Sequence, residues 1–257
     1  MLKHWAGGDQ ARATYDQHAA TYERFVRGYE YERWSTRLLE VASAAGMTGT
    51  RLLDIGCGTG LSSIVPLRRG FQVTACDVSP RMIEIAQAKL GSEADLRVVD
   101  MRDMPCLGRF DLVWALNDSV NYLLSRDELV AALTGMALNL AENGLALFDL
   151  NTLAGYRGLF CESLTVEDAS GSMKWRGLTD PMALRPGAIC EASYTVEGSE
   201  RDETLHRQRH FSSEEIFAAL RRAGLSAKGT YGELDGRLFQ PLDEDLHTKA
   251  VYLADLA

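Results

Sequence analysis

Three glycines at alternate positions follow a short apolar segment near residue 50. The segment reads Leu52-Leu53-Asp54-Ile55-Gly56-Cys57-Gly58-Thr59-Gly60, and a helical pattern comes after it. Glycine lets the backbone turn sharply and approach a ligand closely, because no Cβ stands between them. The next acidic residue at the end of an apolar segment is Asp77. A carboxylate at that place is suited to accept hydrogen bonds from both hydroxyls of a ribose.

Two classes of ligand use a glycine loop of this kind. Dinucleotide sites space their glycines Gly-x-Gly-x-x-Gly, but here Leu61 stands where the third glycine would be. Asp54 would repel a pyrophosphate and attract an ammonium or a sulfonium. The loop therefore predicts S-adenosylmethionine, bound by Asp54, Gly56, Gly58 and Asp77. A nicotinamide dinucleotide and a purely structural turn are the alternatives.

Residues after the next strand are candidates for the adenine end of the ligand. Val99-Asp100-Met101 follows that strand. The Asp100 carboxylate is suited to accept hydrogen bonds from the exocyclic amine, and Met101 to pack on the ring. Met82, on the helix after Asp77, is the candidate for the other ring face. A structural role is the alternative for each of the three.

The core that must position these residues has an alternating pattern. Short apolar segments alternate with helical patterns between Arg51 and Leu150, as in a parallel α/β sheet. The predicted strands are Arg51–Ile55, Gln72–Cys76, Leu96–Val99, Phe110–Leu116 and Leu145–Leu150. The predicted helices between them are Leu61–Arg69, Pro80–Leu90 and Arg126–Ala141. Ser79 is a capping residue for the second helix, whose first position is Pro80.

The flanking segments differ from this core. Aromatic and apolar residues at helical spacing predict two helices before it, with core packing as the plain alternative for the aromatics. After Leu150 the pattern favours strands, among them Ser193–Val196 and Leu205–Phe211. A capping box predicts a helix from Ser212 that ends at Gly224. Strands near Leu225–Tyr231 and Thr248–Leu253 follow.

Taken together, these motifs resemble those of a known family. Leu52–Gly60, Asp77 and Asp100-Met101 are similar to the cofactor motifs of class I S-adenosylmethionine-dependent methyltransferases. The outer segments resemble a small bacterial branch that includes N,N-dimethyltransferases of nucleotide-linked amino sugars and antibiotic-tailoring enzymes. These segments are Tyr15-Asp16, Tyr22, Tyr31, Trp34, Asn117–Tyr122, Phe148–Thr152 and His206–Ser212.

The resemblance implies a Rossmann-like α/β fold with a mostly parallel seven-stranded sheet and helices on both faces. It implies an N-terminal helical lid over residues 1–46, a core of residues 47–154 and 211–257, and a β insertion over residues 155–210 that forms a flap on the acceptor pocket. In that lid, Tyr15, Tyr22 and Trp34 close over the cofactor, and Leu116 offers backbone contacts. Substrate contacts are expected from Asp118, Tyr122, Asn151 and Arg209.

The expected reaction is an in-line displacement at a sulfonium, in which positioning and desolvation supply most of the acceleration. An amine acceptor needs no strong base, whereas a hydroxyl needs one, and His206 or His210 could serve. We assign catalytic roles to Tyr22, as a lid phenol beside the methyl group, and to His206. N-methylation of an amino sugar or another secondary metabolite is the leading hypothesis. The alternatives are O- or C-methylation, a cofactor-binding homologue with other chemistry, and a nicotinamide-dependent reductase.

Composition restricts the class of partner. The 257 residues carry a formal charge of -9 and no lysine or arginine run, which disfavours nucleic acid. The N-terminus does not look like a secretory signal, and no segment is apolar enough to span a membrane, so we expect a cytosolic protein. The five cysteines form no pattern of metal ligands, so no metal is expected. The expected partner is a small-molecule acceptor; the oligomeric state stays open, with a homodimer as one option.

Overall fold

The computed structural model describes residues 8–197 and 203–257, which form seven α-helices and twelve strands. The helices are α1 (Gly8–Phe25), α2 (Tyr31–Ala44), α3 (Ile64–Arg68), α4 (Pro80–Leu90), α5 (Arg126–Asn139), α6 (Leu153–Phe160) and α7 (Ser213–Arg222). The strands are β1 (Arg51–Ile55), β2 (Gln72–Asp77), β3 (Ala94–Val98), β4 (Phe110–Ala115), β5 (Leu140–Asn151), β6 (Ser163–Asp168), β7 (Gly171–Gly177), β8 (Ile189–Val196), β9 (Thr204–Arg209), β10 (Leu225–Leu234), β11 (Arg237–Phe239) and β12 (Lys249–Leu256).

The larger sheet has the order β11-β10-β12-β5-β4-β1-β2-β3. Its strands from β5 to β3 run parallel, and β12, β10 and β11 complete it in antiparallel pairing. The predicted α/β fold with a mostly parallel sheet is confirmed, but the sheet has eight strands rather than seven. The additional strand, β11, follows a two-residue hairpin loop at Asp235-Gly236, where both residues have positive φ. Asp-Gly is a strong signal for such a loop, although a three-residue strand has too few residues to show a period.

Helices cover both faces of this sheet. Alternate strand residues point to opposite faces, so Leu53 and Val113 join one core while Leu52 and Leu112 join the other. The first core also contains residues of α5 and α7, and the second contains residues of α2. The carboxyl ends of the parallel strands therefore form one edge at which loops from β1 to β5 meet.

A second, antiparallel sheet has the order β6-β7-β8-β9. It has a small core of its own, in which Tyr156 and Phe160 of α6 pack with Met173, Trp175 and Tyr194. The sequence indicated parts of β8 and β9 but neither β6, β7 nor α6. Most of β6 is exposed. Its Leu164 and Val166 do alternate with polar residues, but two apolar positions are a weak signal for a half-buried strand.

Most predicted core elements lie within a few residues of the observed ones, and α4 has the predicted bounds. Its cap is confirmed, because the Ser79 hydroxyl accepts a hydrogen bond from the Met82 N–H at 3.1 Å. The capping box at Ser212 is present as well. Helix α3 begins at Ile64 rather than Leu61, since turns of the glycine loop occupy the first residues of the predicted helix.

Helix α1 lies between the second sheet and α4. Its Arg24 guanidinium donates two hydrogen bonds to the Asp168 carboxylate of β6, at 2.8 and 2.7 Å. The Thr21 hydroxyl accepts a hydrogen bond from Tyr194 of β8 at 2.8 Å. Toward α4, the Asp16 carboxylate accepts a hydrogen bond from the Ser79 hydroxyl at 2.6 Å. Helix α1 thus joins the two sheets above the carboxyl edge.

Two predictions extend outside the described residues: positions 1–7 of the expected lid and positions 198–202 of the expected insertion. Among the helices that the structure does describe, none has the length and apolar character needed to cross a membrane. In the same ranges, no group of three or more His, Cys, Asp or Glu residues has an arrangement that could hold a metal ion.

Candidate active site

The three glycines of the loop after β1 all have positive φ: +70° for Gly56, +55° for Gly58 and +83° for Gly60. A Cβ added at Gly56 would lie 2.9 Å from the Cβ of Ser119. A Cβ added at Gly58 would meet no protein atom within 4 Å. Gly58 therefore faces open space, and a side chain there would enter a cleft rather than the protein core.

This open space is a narrow cleft at the carboxyl edge of the large sheet. Loops after β1, β2, β3 and β4 form its walls, and helix α1 covers it. Of the residues predicted to bind the cofactor, those that line the cleft are Tyr15, Tyr22, Gly56, Gly58, Asp77, Asp100, Met101 and Leu116. Tertiary structure thus brings together most of a set that is dispersed over a hundred positions of the sequence.

Asp77 lies at the end of β2 with each carboxylate oxygen in one backbone hydrogen bond. Oδ2 accepts from the Gly58 N–H and Oδ1 from the Ser79 N–H, both at 2.9 Å. Burial raises the pKa of Asp77 to about 6, although these hydrogen bonds oppose the shift. Each oxygen keeps capacity for a further hydrogen bond, as the predicted contact with a ribose requires.

Asp100 is held in place by its neighbour Arg102. Its Oδ1 accepts hydrogen bonds from the backbone N–H and the Nε–H of Arg102, both at 2.9 Å. The Arg102 side chain is itself buried and lies 3.3 Å from the carboxylate of Glu128. Asp100 is therefore a fixed carboxylate on the wall of the narrow cleft, at the predicted adenine end.

Three predicted cofactor residues do not line the narrow cleft. Asp54 lies behind the loop, where its Oδ2 accepts hydrogen bonds from Ser62 and Ser63, both at 2.6 Å. A buried carboxylate needs such donors. The two hydrogen bonds therefore fix the end of the glycine loop to Asp54. Met82, on α4, is fully buried in the protein interior, and Trp34 lines a different cavity.

The second cavity is wide, with a volume of about 870 Å³. Helix α1, the chain from Gly28 to Trp34, α6 and the second sheet enclose it, together with the loops after β4 and β5. Much of its wall is aromatic. The aromatic and histidine residues are Tyr15, His18, Tyr22, Phe25, Tyr29, Tyr31, Trp34, Tyr122, Phe160, Trp175 and His206.

Five residues line both the narrow cleft and the wide cavity, and we call them the junction residues: Tyr15, Tyr22, Tyr31, Asn117 and Tyr122. The hydroxyls of Tyr22 and Tyr31 are hydrogen-bonded at 2.6 Å. The ring centroids of Tyr15 and Tyr122 are 5.2 Å apart in an edge-to-face arrangement. A molecule in the cleft and a molecule in the cavity would meet at these side chains.

The buried carboxylate of Asp149, on β5, fixes the loop that carries Asn117. Its Oδ2 accepts hydrogen bonds from the Asn117 N–H at 2.9 Å and from the Trp34 indole at 2.8 Å. Its Oδ1 accepts from the Asp118 N–H at 2.7 Å and from the Lys249 ammonium at 3.2 Å. Asn117 and Asp118 have φ of 57° and 55°, a backbone conformation that Asn and Asp tolerate better than most residues.

A polar network extends from this loop into the wide cavity. The Asp118 carboxylate accepts hydrogen bonds from Lys249 at 3.0 Å and from Gln208 at 2.7 Å. Asn151 donates to Gln208 at 3.1 Å. Burial disfavours the charge of Lys249, but Asp118 and Asp149 together hold its pKa well above the usual value. Asp118 thus faces the cavity as a carboxylate already paired with a cation.

Arg209, a predicted substrate residue, lies elsewhere. Its guanidinium is 2.7 Å from the Glu215 carboxylate and stacks over the ring of Phe211. It lines neither the cleft nor the cavity. Strand alternation explains the difference, because Thr204, His206 and Gln208 point inward while Arg209 points to the opposite face of β9.

The two histidines considered as bases differ in their surroundings. His206 lines the wide cavity, and its Nδ1 is 2.8 Å from the Tyr122 hydroxyl. Burial, with a contribution from His18, lowers the pKa of His206 well below 6.5. His210 instead faces Glu244, with Nε2 3.1 Å from its carboxylate.

Several residues that line these spaces were not predicted as site residues, among them Tyr31, Lys249 and His18. Tyr31 is a junction residue for which the sequence indicates no role beyond its resemblance to a family motif. Lys249 is the first residue of the otherwise mostly apolar strand β12. A single lysine in that position is a signal by which the residue could have been predicted. His18 shares a helix face with Tyr15 and Tyr22 at spacings of three and four residues.

The narrow cleft suits the nucleoside sulfonium that the glycine loop predicts. Two polar atoms on its wall, Asn117 Oδ1 and Ser119 Oγ, are buried without a hydrogen-bond partner among the described residues. Buried polar atoms of this kind are normally satisfied, so a bound molecule is the natural partner. Asp77, Asp100 and Met101 line the same cleft, as the prediction of a ribose contact and an adenine contact requires.

Comparison with known proteins agrees with this geometry. Residues 52–144 match the protein family described as "Methyltransferase domain". A methyltransferase-family protein of Geobacillus sp. (strain WCH70) is 30% identical over 224 residues, which are 83% of this chain and 89% of that protein. The dTDP-3-amino-3,6-dideoxy-alpha-D-glucopyranose N,N-dimethyltransferase of Streptomyces fradiae is 28% identical over 226 residues, covering 82% of this chain and 84% of that enzyme.

Among solved structures, an S-adenosylmethionine-dependent methyltransferase from Clostridium acetobutylicum ATCC 824 has the same fold. The TM-score is 0.76 at 22% identity, with 95% of this chain and 99% of that chain covered. The chain belongs to the S-adenosylmethionine-dependent methyltransferases, and S-adenosylmethionine is its cofactor. The nicotinamide alternative is thereby excluded.

Replacing Gly58 by valine should abolish cofactor binding while the protein still folds. The new side chain would meet no protein atom but would enter the narrow cleft. Because φ at Gly58 is positive, some loss of stability is expected as well. Calorimetric titration with S-adenosylhomocysteine measures the binding, and the unfolding midpoint measures the stability. A folded variant with wild-type affinity would contradict the assignment of the cleft.

Cofactor affinity should depend on pH through Asp77. Its pKa of about 6 means that the carboxylate is charged at pH ~7.5 and mostly protonated at pH ~5. Protonation removes an acceptor for a ribose hydroxyl, so affinity for S-adenosylhomocysteine should fall about tenfold over that range. Asp77→Asn should bind weakly at both pH values and lose this dependence. An affinity of the wild type that stays constant between these pH values would refute the role of Asp77.

Proposed function

We propose that this methyltransferase acts on an amine nitrogen of a small molecule, with an amino sugar as the leading candidate. The observation that carries the proposal is the environment of His206: the ring is buried beside Trp175, and its hydrogen-bond partner among the described residues is the Tyr122 hydroxyl rather than a carboxylate. A hydroxyl acceptor must lose a proton to a base during transfer, and a histidine with a strongly lowered pKa is a poor base. An amine that arrives uncharged already has a free electron pair and needs no such base.

The wide cavity supports a ring-shaped acceptor. Its volume exceeds that of a single small ring, and aromatic side chains form much of its wall. Flat aromatic faces pack well against the apolar faces of a saturated ring. The Streptomyces fradiae relative is named for a nucleotide-linked amino sugar, which is a molecule of this kind.

A specific contact favours O-methylation as the second candidate. Tyr122 is a junction residue, and its hydroxyl lies 2.8 Å from His206 Nδ1. If the acceptor were a hydroxyl, this pair could relay its proton. Burial raises the pKa of Tyr122 beyond the usual value, which works against that relay because the phenol then ionises less readily.

The cofactor supplies an electrophilic methyl group on a sulfonium. The chain's own residues bind it in the narrow cleft, aim it toward the junction and exclude water there. Positioning of this kind can account for roughly 7–11 kcal/mol of a barrier. The junction tyrosines are partly buried, and desolvation raises the pKa of Tyr22 to about 12, so its phenol stays neutral. In our proposal a neutral phenol oxygen beside the methyl group orients it through weak C–H···O contacts.

The ranking of two variants tests the choice of acceptor atom. Tyr22→Phe should lower turnover about tenfold, or roughly 1.4 kcal/mol of barrier, because the oxygen at the junction is lost. His206→Ala should be milder for an amine acceptor. Tyr31→Phe is the matched control, since it removes the partner of the Tyr22 hydroxyl and leaves that oxygen in place. Release of S-adenosylhomocysteine measures the rates. The opposite ranking, with His206→Ala nearly inactive, would favour a hydroxyl acceptor.

We also propose that α1 and α2 form a lid and the second sheet a flap. Helix α1 covers the narrow cleft and reaches the glycine loop through Lys89, which donates to the Thr59 carbonyl at 2.8 Å and pairs with Glu23 of α1. Release of the cofactor would require these contacts to open.

Hydrogen exchange over residues 10–34 should therefore slow when S-adenosylhomocysteine binds. The exchange of α7, which lies on the other side of the sheet, is the internal reference. Equal exchange of residues 10–34 with and without the ligand would mean that the two helices are permanently packed.

A further inference from the structure

His18 and His206 lie side by side in the wall of the wide cavity. Their ring centroids are 5.4 Å apart and their ring planes are perpendicular. Each residue is only 2% exposed. His18 comes from the inner face of α1 and His206 from the inner face of β9, so the pair forms only when the lid helix lies on the second sheet.

The ring nitrogens of this pair are poorly satisfied. Within residues 8–197 and 203–257, both nitrogens of His18 and the Nε2 of His206 are buried without a hydrogen-bond partner. The remaining nitrogen, His206 Nδ1, contacts the Tyr122 hydroxyl. Three unpartnered nitrogens on two adjacent side chains are unusual in a protein interior, where nearly all such atoms are paired.

Neighbouring side chains contact the pair through carbon surfaces. His18 stacks on Tyr194 with ring centroids 3.9 Å apart, and Trp175 lies 4.7 Å from His206 by the same measure. Phe25 packs edge-on against His18. These rings pack against both imidazoles but offer their nitrogens no hydrogen bond. The two histidines are therefore a small polar site within an aromatic wall.

We propose that His18 and His206 form a subsite that binds an uncharged hydroxyl of the acceptor, close to the amine that receives the methyl group. A hydroxyl both donates and accepts a hydrogen bond, and two neutral imidazoles offer both kinds of partner. The position near the reacting amine follows from Tyr122, because this junction residue touches His206 directly. The amine and the hydroxyl would thus be separated by only a few bonds. The inference rests on the proposed N-methylation for the identity of the reacting atom.

Electrostatics favour an uncharged group at this subsite. Burial lowers the pKa of His18 to about 3 and that of His206 well below 6.5, so both rings are neutral near pH 7. A carboxylate would find no cation between them, and an ammonium would find no anion. Elsewhere in the cavity wall, Asp118 is paired with Lys249 and Arg33 with Glu30. Two further carboxylates, Glu233 and Asp235, come from the β10–β11 hairpin, which is a different part of the wall from α1 and β9.

Two matched probes test the subsite: trans-2-aminocyclohexanol, which has the hydroxyl, and cyclohexylamine, which lacks it. Binding to the S-adenosylhomocysteine complex is measured by calorimetry. The wild type should bind the amino alcohol about tenfold more tightly, whereas His18→Phe should bind both probes equally. Phenylalanine keeps the stack on Tyr194 and removes both nitrogens.

Equal affinities in the wild type, no measurable binding of either probe, or a preference that survives in His18→Phe would overturn the subsite. The two nitrogens of His18 would then bind only water. Turnover of the same probes with S-adenosylmethionine tests the proposed function separately. A clear binding preference without methylation of either amine would leave the subsite standing and refute N-methylation of this class of acceptor.

Thermal unfolding without ligand gives a second readout. Because His18 has unpartnered nitrogens, His18→Phe should unfold at the same temperature as the wild type or above it. His247→Phe is the matched control: His247 is also buried, but its Nδ1 accepts a hydrogen bond from the Asp243 N–H at 2.9 Å. That variant should unfold at a lower temperature. A comparable loss in His18→Phe would mean that His18 is an ordinary structural histidine, and the subsite would fall.

Discussion

The geometry of this site depends on the buried carboxylate of Asp149. It accepts four hydrogen bonds, from three segments distant in sequence: the Trp34 indole, the backbone after β4, and Lys249 of β12. Each of these donors would be costly to bury alone, and so would the carboxylate. Together they hold Asn117 and Asp118 in a backbone conformation that turns the chain between cleft and cavity.

The same network neutralises the buried charges of a largely aromatic site. Lys249 lies between Asp118 and Asp149 and pairs with both. Asp118, the carboxylate of this network that lines the wide cavity, is therefore already paired with a cation. Around it, burial raises the pKa of the junction phenols and lowers those of the two cavity histidines. These groups stay neutral near pH 7. In methyl transfer to a neutral amine, the positive charge moves from sulfur to nitrogen and is spread over both atoms in the transition state. Such surroundings favour this step because little hydration stabilises the concentrated charge of the reactant.

Helix α1 links the glycine loop to the second sheet. One of its faces carries Tyr15, His18, Tyr22 and Phe25, which line the wide cavity, and its polar side chains bind Asp168 and Ser79 on either side. The helix is therefore a shared wall of both spaces. A movement of α1 away from the narrow cleft would also separate His18 from His206, because both contacts involve the same helix.

By itself, the sequence determined the class of protein, the parallel core and the cofactor loop. These depend on local patterns: glycines that need positive φ, apolar segments of one period, and acidic residues at strand ends. Tertiary structure alone decided which side of each element faces the ligand. Asp54 lies behind its loop, Met82 points into the core and Arg209 points away from the cavity, because each orientation is fixed by packing partners distant in sequence. The pairing of His18 with His206 was hidden for the same reason: 188 positions separate two residues that only the fold of α1 onto β9 brings together.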